Sequence, residues 1–177
     1  IMHLLKPDGG RAAIVLPDGF LFGEGVKTTI KKELLTEFNL HTVVRLPNGV
    51  FSPYTGIKTN LLFFEKGTPT KQVWFFEHPY PPGYKSYSKS KPLAIGEFER
   101  EKKWWNNRRQ NEYAWKVSFA EIEERNYNLD FKNPHVVEEE AGDPEELLRE
   151  YEELNQKLMA TRDRLKQELA QALRGRQ

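Results

Sequence analysis

"TNLLFFE", residues Thr59 to Glu65, is the stretch on which the fold turns. Its core, Leu61 to Phe64, has no polar alternation, so the strand it forms needs apolar layers on both faces and a central place in a sheet. Directly before it runs "PNGVFSPYTGIK", Pro47 to Lys58. That connection is too long for a tight hairpin, and Val50, Phe51, Tyr54 and Ile57 are too large and apolar for disorder. Ordered loops of roughly a dozen residues are usually functional.

Upstream, "RAAIVL", Arg11 to Leu16, is an apolar run between Gly10 and Pro17 and predicts a strand buried on both faces. The loop "PDGFLFGEG" leads to Val26, Ile30, Leu34 and Phe38, which recur every four residues and predict a helix, with Asn39 as a left-handed cap. "HTVVRL", His41 to Leu46, is a second strand, and polar Thr42 and Arg45 place it at an edge. Strand, helix, strand is one right-handed crossover of an α/β sheet. "IMHLLKPDGG" reads as the last turns of a helix followed by stop signals, so the expectation is that more chain precedes it.

Downstream, "VWFF", Val73 to Phe76, predicts a more peripheral strand. Glu77 to Ser90, rich in Pro, Tyr, Ser and Lys, predicts an exposed loop. Ile95, Phe98, Lys102 and Trp105 suggest a short amphipathic helix, and Ser118 caps another that runs through Glu124. "EEEAGDPEE" is an acidic hinge. Beyond it Asp143 caps a long helix with Pro144 in its first turn and an apolar stripe of Leu147, Tyr151, Leu154, Leu158, Leu165, Leu169 and Leu173. No internal repeat is visible.

Composition narrows the classes. With a formal net charge of +1, the chain is no wholly basic nucleic-acid coat. It has no cysteine, which excludes disulfides, thiolate metal sites and a Cys nucleophile, and fits a reducing cytoplasm. No apolar run is long enough for a bilayer, and no signal peptide is apparent. The four histidines (His3, His41, His78, His135) are too scattered in sequence to suggest a metal site.

"GGRAAIVLPDGFLF", "VVRLPNGVFSPYTGIKTNLLFFEKG" and "RNYNLDFKNP" together resemble the C-terminal part of the modification (methyltransferase) subunit of type I restriction-modification systems, a family of N6-adenine DNA methyltransferases. The resemblance implies an α/β, Rossmann-like sheet dependent on S-adenosylmethionine, with its last strand inserted antiparallel between two predecessors. Arg11 to Leu16 would be the fifth strand, His41 to Leu46 the sixth and Thr59 to Glu65 the seventh. Residues 1–137 would belong to the catalytic domain, with a peripheral loop and helix region from about 77 to 137. Residues 138–177 would be the hinge and an association helix.

The family's Gly-rich cofactor turn and its Asn-Pro-Pro-aromatic tetrad are absent here. Asn133-Pro134-His135 lacks the second proline and the aromatic. The expectation is therefore that the full protein methylates adenine N6, while this stretch alone is inactive, holds no catalytic residue and binds the cofactor mainly through another part.

What remains is the target pocket. A base inside a duplex must be rotated out to be modified. The resemblance implies a stacking aromatic in the loop before the seventh strand, matched by Phe51, with Tyr54 second; Lys58 could meet a flanking phosphate and Thr55 lies where backbone must come close. Asp18, in the turn after the fifth strand, is a candidate polar contact. The alternatives are that Phe51 and Tyr54 plug the loop onto the sheet, and that the turn at Asp18 merely starts a helix.

Lys85, Lys89 and Lys91 among tyrosines, with Arg108 and Arg109, are candidates for DNA backbone contact or simply solvated. The final helix would bury its stripe on the specificity subunit, bringing in a second modification subunit, double-stranded DNA and, as a further candidate, the restriction subunit. A solitary adenine DNA or RNA methyltransferase, and a non-catalytic oligomerising module, are the competing readings.

Overall fold

The computed structural model describes residues 1–136 and 144–174; the expected acidic hinge from Glu138 and the Asp143 cap lie outside the described residues. The chain divides into two compact units, Ile1–Val136 and Val137–Gln177, each described by itself.

The first unit comprises β1 (Arg11–Pro17), α1 (Asp18–Leu21), α2 (Val26–Glu37), β2 (Phe38–Arg45), β3 (Thr59–Lys66), β4 (Gln72–Glu77), α3 (Glu99–Asn106), β5 (Ala114–Ser118) and α4 (Phe119–Glu124). The five strands form one sheet in the order β1-β3-β2-β4-β5. β3 runs antiparallel to both β1 and β2, in register from Arg11–Glu65 to Pro17–Thr59 and from Phe38–Lys66 to Arg45–Asn60. β4 is parallel to β2 and β5 antiparallel to β4. The unbroken apolar run thus lies inside the sheet, antiparallel between its two predecessors. Leu62 and Phe64 bury one face and Leu61 and Phe63 pack against the other.

Several expectations need correction. β1 is not buried on both faces: it alternates exposed and half-buried residues, Val15 is 47% exposed, and the strand forms an edge among the described residues. β2 is interior, because its polar residues have internal partners; Thr42 is fully buried with its hydroxyl 2.8 Å from His41 Nδ1. β5 lies in "AWKVS", a stretch assigned no strand in advance, and occupies the other edge beside β4. The helical stripe is also displaced. α2 buries Lys31, Leu34 and Leu35, leaves Val26 and Ile30 exposed, and passes into β2 at Phe38 with no intervening loop, so Asn39 is a strand residue and not a cap. The opening residues make only a short 3-10 turn, Met2–Leu4.

Helices cover both faces. One core gathers Leu34 and Leu35 of α2, Ile122 of α4, Phe38, Val43, Leu62 and Phe75, with Phe75 stacked on Trp115 at 5.6 Å. The second sets Trp104 of α3 against Val44 and Phe76, with Trp105 edge-on to Phe63 at 4.9 Å. Ser118 caps α4 as expected, its hydroxyl accepting from the Glu121 backbone N–H at 3.3 Å.

β2 carries a bulge between Leu40 and Thr42, and the extra residue, His41, turns its ring edge-on to Trp105 at 5.8 Å. Burial lowers the His41 pKa, the Arg108 guanidinium lowers it further, and Glu65 opposes both. A base with a depressed folded pKa takes up its proton more readily when unfolded. The stability that neutral His41 contributes is thus complete above its ordinary value of 6.5 and lost as pH falls from there toward the folded pKa. His41→Asn should flatten this acid-side slope in urea titrations; identical slopes would clear His41 of the effect.

The second unit is represented by α5 (Pro144–Arg174). Leu148, Tyr151, Leu154, Leu158, Met159 and Leu165 are exposed on it, and Arg164 and Glu168 pair at 3.0 Å one turn apart. Among the described residues no helix is long and apolar enough to cross a membrane.

Candidate functional site

All five strands end on one cleft of about 430 Å³. Asp18 leaves β1, Arg45 ends β2, Lys58 precedes β3, Glu77 and His78 close β4, and Tyr113 precedes β5. The antiparallel direction of β3 brings its entry loop to the same edge as the exits of β1 and β2. In open α/β sheets this is where ligands sit.

Arg45 organises the cleft floor. Its Nη1 donates to the Phe131 carbonyl at 2.7 Å, and its Nη2 lies 2.8 Å from Asp130 Oδ1 and 3.4 Å from Asp18 Oδ1. The Asp130 contact is an ion pair without hydrogen-bond geometry, since that oxygen has no hydrogen-bond partner. Asp18 Oδ1 also accepts from Asn60 Nδ2 at 3.0 Å, and the Asp18 backbone N–H donates to the Lys58 carbonyl at 2.9 Å. One guanidinium thereby ties the exit of β1, the entry of β3 and the chain beyond α4 to the last residue of β2. Buried His78 donates its backbone N–H to the Arg45 carbonyl at 2.9 Å and pairs through Nδ1 with the buried carboxylate of Glu101.

Of the pocket residues expected from sequence, the structure brings Asp18 and Lys58 together on the cleft wall. Phe51, Tyr54 and Thr55 sit further out on the 47–58 loop and do not line it. Phe51 is 39% and Tyr54 94% exposed. The loop is ordered around Phe51, whose carbonyl accepts from the N–H groups of Tyr54 (2.9 Å) and Thr55 (3.1 Å). The Thr55 hydroxyl accepts from the Ile57 N–H at 3.1 Å.

The basic candidates separate. Lys85 lines the cleft; Lys89 and Lys91 are exposed on the same segment, Lys91 with its ammonium 5.2 Å from the centre of the Tyr84 ring. Arg108 lies at the opposite end of the strands, beside Arg11, Asn39 and Glu65, its guanidinium packed over Trp105 at 4.6 Å. Arg109 is exposed on a third surface near Tyr113. The tyrosine-rich segment is not the open loop its composition suggests, since Tyr87 is buried between Tyr80 and Tyr84.

Sequence reasoning missed Arg45, Asn60, Asp130 and the His78–Glu101 pair. One signal was available: a charged residue closing an otherwise apolar strand needs a buried partner, and that partner is worth seeking. Asn133 also faces the cleft, but its amide is occupied, donating to the Glu112 carbonyl at 2.8 Å and accepting from the His135 N–H at 2.9 Å. Among the described residues no three His, Cys, Asp or Glu side chains could share a metal ion.

The turn after β1 is crowded at Gly23. A Cβ at Gly23 would meet the Lys27 side chain at 2.3 Å and the Gly19 carbonyl at 2.6 Å, so that turn is already filled by its own chain.

The sequence model of the N-6 DNA Methylase family matches residues 1–143. The chain belongs to the N-6 DNA methylase family. It is 57% identical over 175 residues to the methylase subunit of the type I restriction enzyme EcoEI from Escherichia coli, a match covering 95% of this chain and 36% of that protein. Among solved structures, a modification subunit assigned to a type I restriction enzyme of Vibrio vulnificus is similar at 47% identity, with a TM-score of 0.71 over 76% of this chain and 30% of that one. A chain from a structure addressing complex assembly and conformational transition of the type I R-M system gives 0.75 at 37% identity, over 96% of this chain and 38% of its own. This N-6 DNA methylase chain thus spans about a third of the length of such relatives, and its sheet is part of a Rossmann-like methyltransferase fold.

Proposed function

We propose that the chain is part of a type I modification subunit that methylates adenine N6 in double-stranded DNA, and that its own share of the work is to receive the extruded adenine. The observation that carries this reading is the cleft at the ends of all five strands, bordered by the two ends of the aromatic loop that enters β3. Phe51 supplies a ring for the base, Lys58 and Lys85 face the flanking phosphates, and Asp18 is held by Arg45 and Asn60 as a polar contact at the rim. Tyr54 and Thr55 complete the loop.

S-adenosylmethionine supplies the methyl group and is bound mainly by the rest of the protein. α5 carries its exposed leucines and Tyr151 to the specificity subunit, which selects the DNA site and brings in the second modification subunit; Leu147 and Leu169 extend the same sequence stripe. The restriction subunit is a further candidate partner, and the assembly works in the cytoplasm. This stretch by itself is inactive.

Base-on-aromatic stacking contributes about 1–3 kcal/mol, so Phe51→Ala in the complete methyltransferase should slow methylation of duplex DNA roughly tenfold to a hundredfold. The check is tritiated methyl transfer to a duplex holding the target site. Unchanged turnover would refute the pocket role of this loop.

A further inference from the structure

The 47–58 loop is held by more than the sheet. The Asn48 carbonyl accepts two hydrogen bonds from a distant segment, one from the Tyr87 backbone N–H at 3.3 Å and one from the Tyr80 hydroxyl at 3.2 Å. The next residue, Gly49, is buried with φ +80°, and a Cβ there would come within 2.3 Å of the Tyr87 carbonyl oxygen. That is backbone against backbone, so no flexible side chain can yield. Tyr87 is itself fixed: it is 2% exposed, and its hydroxyl donates to the Glu97 carboxylate. Burial, then Glu97, push its phenol well above the ordinary range, so it keeps its proton as the donor.

The joint connects two things. On the inside, Phe51 lies two residues beyond Gly49, in a turn closed by the Ser52 N–H on the Gly49 carbonyl at 2.9 Å, so Phe51 goes where Gly49 goes. On the outside, Tyr80 and Lys85 line the cleft. A free loop would have to be ordered each time a base arrives, and that ordering costs affinity for the extruded base while leaving affinity for the stacked duplex unaffected.

We propose that residues 80–91 form a clasp that pre-sets the base-receiving loop, with Tyr80 and Tyr87 as positioning residues and Gly49 as their seat. The proposal rests on the reading above that the Phe51 loop takes an extruded base.

The test uses the complete methyltransferase with its specificity partner. Base extrusion is read on a duplex carrying 2-aminopurine in place of the target adenine, a probe that brightens on leaving the stack, and kcat on the same duplex with its adenine. Gly49→Ala should bind duplex within about twofold of wild type, lose half or more of the brightening, and lose about tenfold in kcat. Tyr80→Phe, which removes only the hydroxyl, should lose about threefold in kcat. Placing a mismatch opposite a normal target adenine cheapens extrusion and should restore part of the rate in both variants.

Wild-type brightening and kcat in Gly49→Ala would overturn the clasp. So would a fall in duplex affinity that matches the fall in kcat, which marks a general structural defect. Should Gly49→Ala fail to fold, Tyr80→Phe and Tyr87→Phe decide, and unaltered brightening in both rejects the proposal. A defective Phe51→Ala beside normal clasp variants sinks the clasp alone, whereas a normal Phe51→Ala sinks the base-receiving reading beneath it.

Discussion

Arg45→Ala is expected to destabilise the first unit by about 2–4 kcal/mol, because it removes the guanidinium that faces the Asp18 and Asp130 carboxylates and the Phe131 carbonyl. Breaking a buried ion pair by deleting one partner costs about 3–5 kcal/mol, and partial exposure of the acids reduces that. The side chain of Arg45 is 13% exposed, while those of Asp18 and Asp130 are 22% and 29% exposed. The Phe131 carbonyl loses its donor as well, a further contribution of about 1 kcal/mol.

Two companion variants separate the causes. Arg45→Ala with Asp130→Ala should recover part of the loss, since the second deletion removes an unpaired charge. Arg45→Lys should fall between, because an ammonium cannot reach a carbonyl and two carboxylates with the geometry of a planar fork. Urea unfolding followed by tryptophan fluorescence reads all three. A loss under about 1 kcal/mol for Arg45→Ala would mean that water replaces the network without cost.

Lys31→Ala should be about as damaging, for a different reason. Lys31 is 1% exposed on the inner face of α2, and its ammonium donates to the Leu21 carbonyl at 2.7 Å and the Gly23 carbonyl at 2.9 Å. It thus supplies a donor to the turn beyond α1 and a second one to the last residue of α1, whose carbonyl also accepts from the Leu129 N–H at 3.0 Å. Alanine takes this donor from the Gly23 carbonyl, leaves the Leu21 carbonyl with the Leu129 N–H alone, and opens a void of three methylenes and an ammonium, together about 2–4 kcal/mol. Lys31→Met fills the void and should restore only the packing share.

The pH dependence identifies the charge. Burial, chiefly, and neighbouring Lys27 lower the Lys31 pKa from 10.5, against an opposing effect of Glu24. In the window between the lowered folded pKa and 10.5 the unfolded chain binds more protons, so stability from this residue rises with pH there. Wild type should therefore gain on Lys31→Met as the solution turns alkaline. Parallel curves would show that Lys31 titrates normally in the fold.

The sheet's centre was legible because Leu61 to Phe64 admit one environment only. The direction of β3, and hence the cleft, came from family resemblance and not from periodicity. Arg45 and Thr42 misled because polarity in a strand has two causes, an exposed edge or an internal partner, and the partners here lie up to 86 residues away in sequence. The α2 stripe misled for a related reason. A lysine with two carbonyls in reach replaces apolar residues on the buried face, and the every-fourth-residue count cannot register it. β5 escaped notice because five residues between polar flanks carry little pattern, although Trp115 and Val117 are core. The clasp was out of reach: it depends on where a tyrosine-rich segment folds back, which composition does not encode.

The placement of β3 also sets a timetable. β1 and β2 share no hydrogen bond, and among the described residues β1 joins the sheet only through β3. On a ribosome, adding about 5–20 residues per second, several seconds separate the synthesis of β1 from that of its partner β3. The β1–β3 ladder, and the cleft edge that Asp18 and Lys58 share, cannot form until Lys66 has been added.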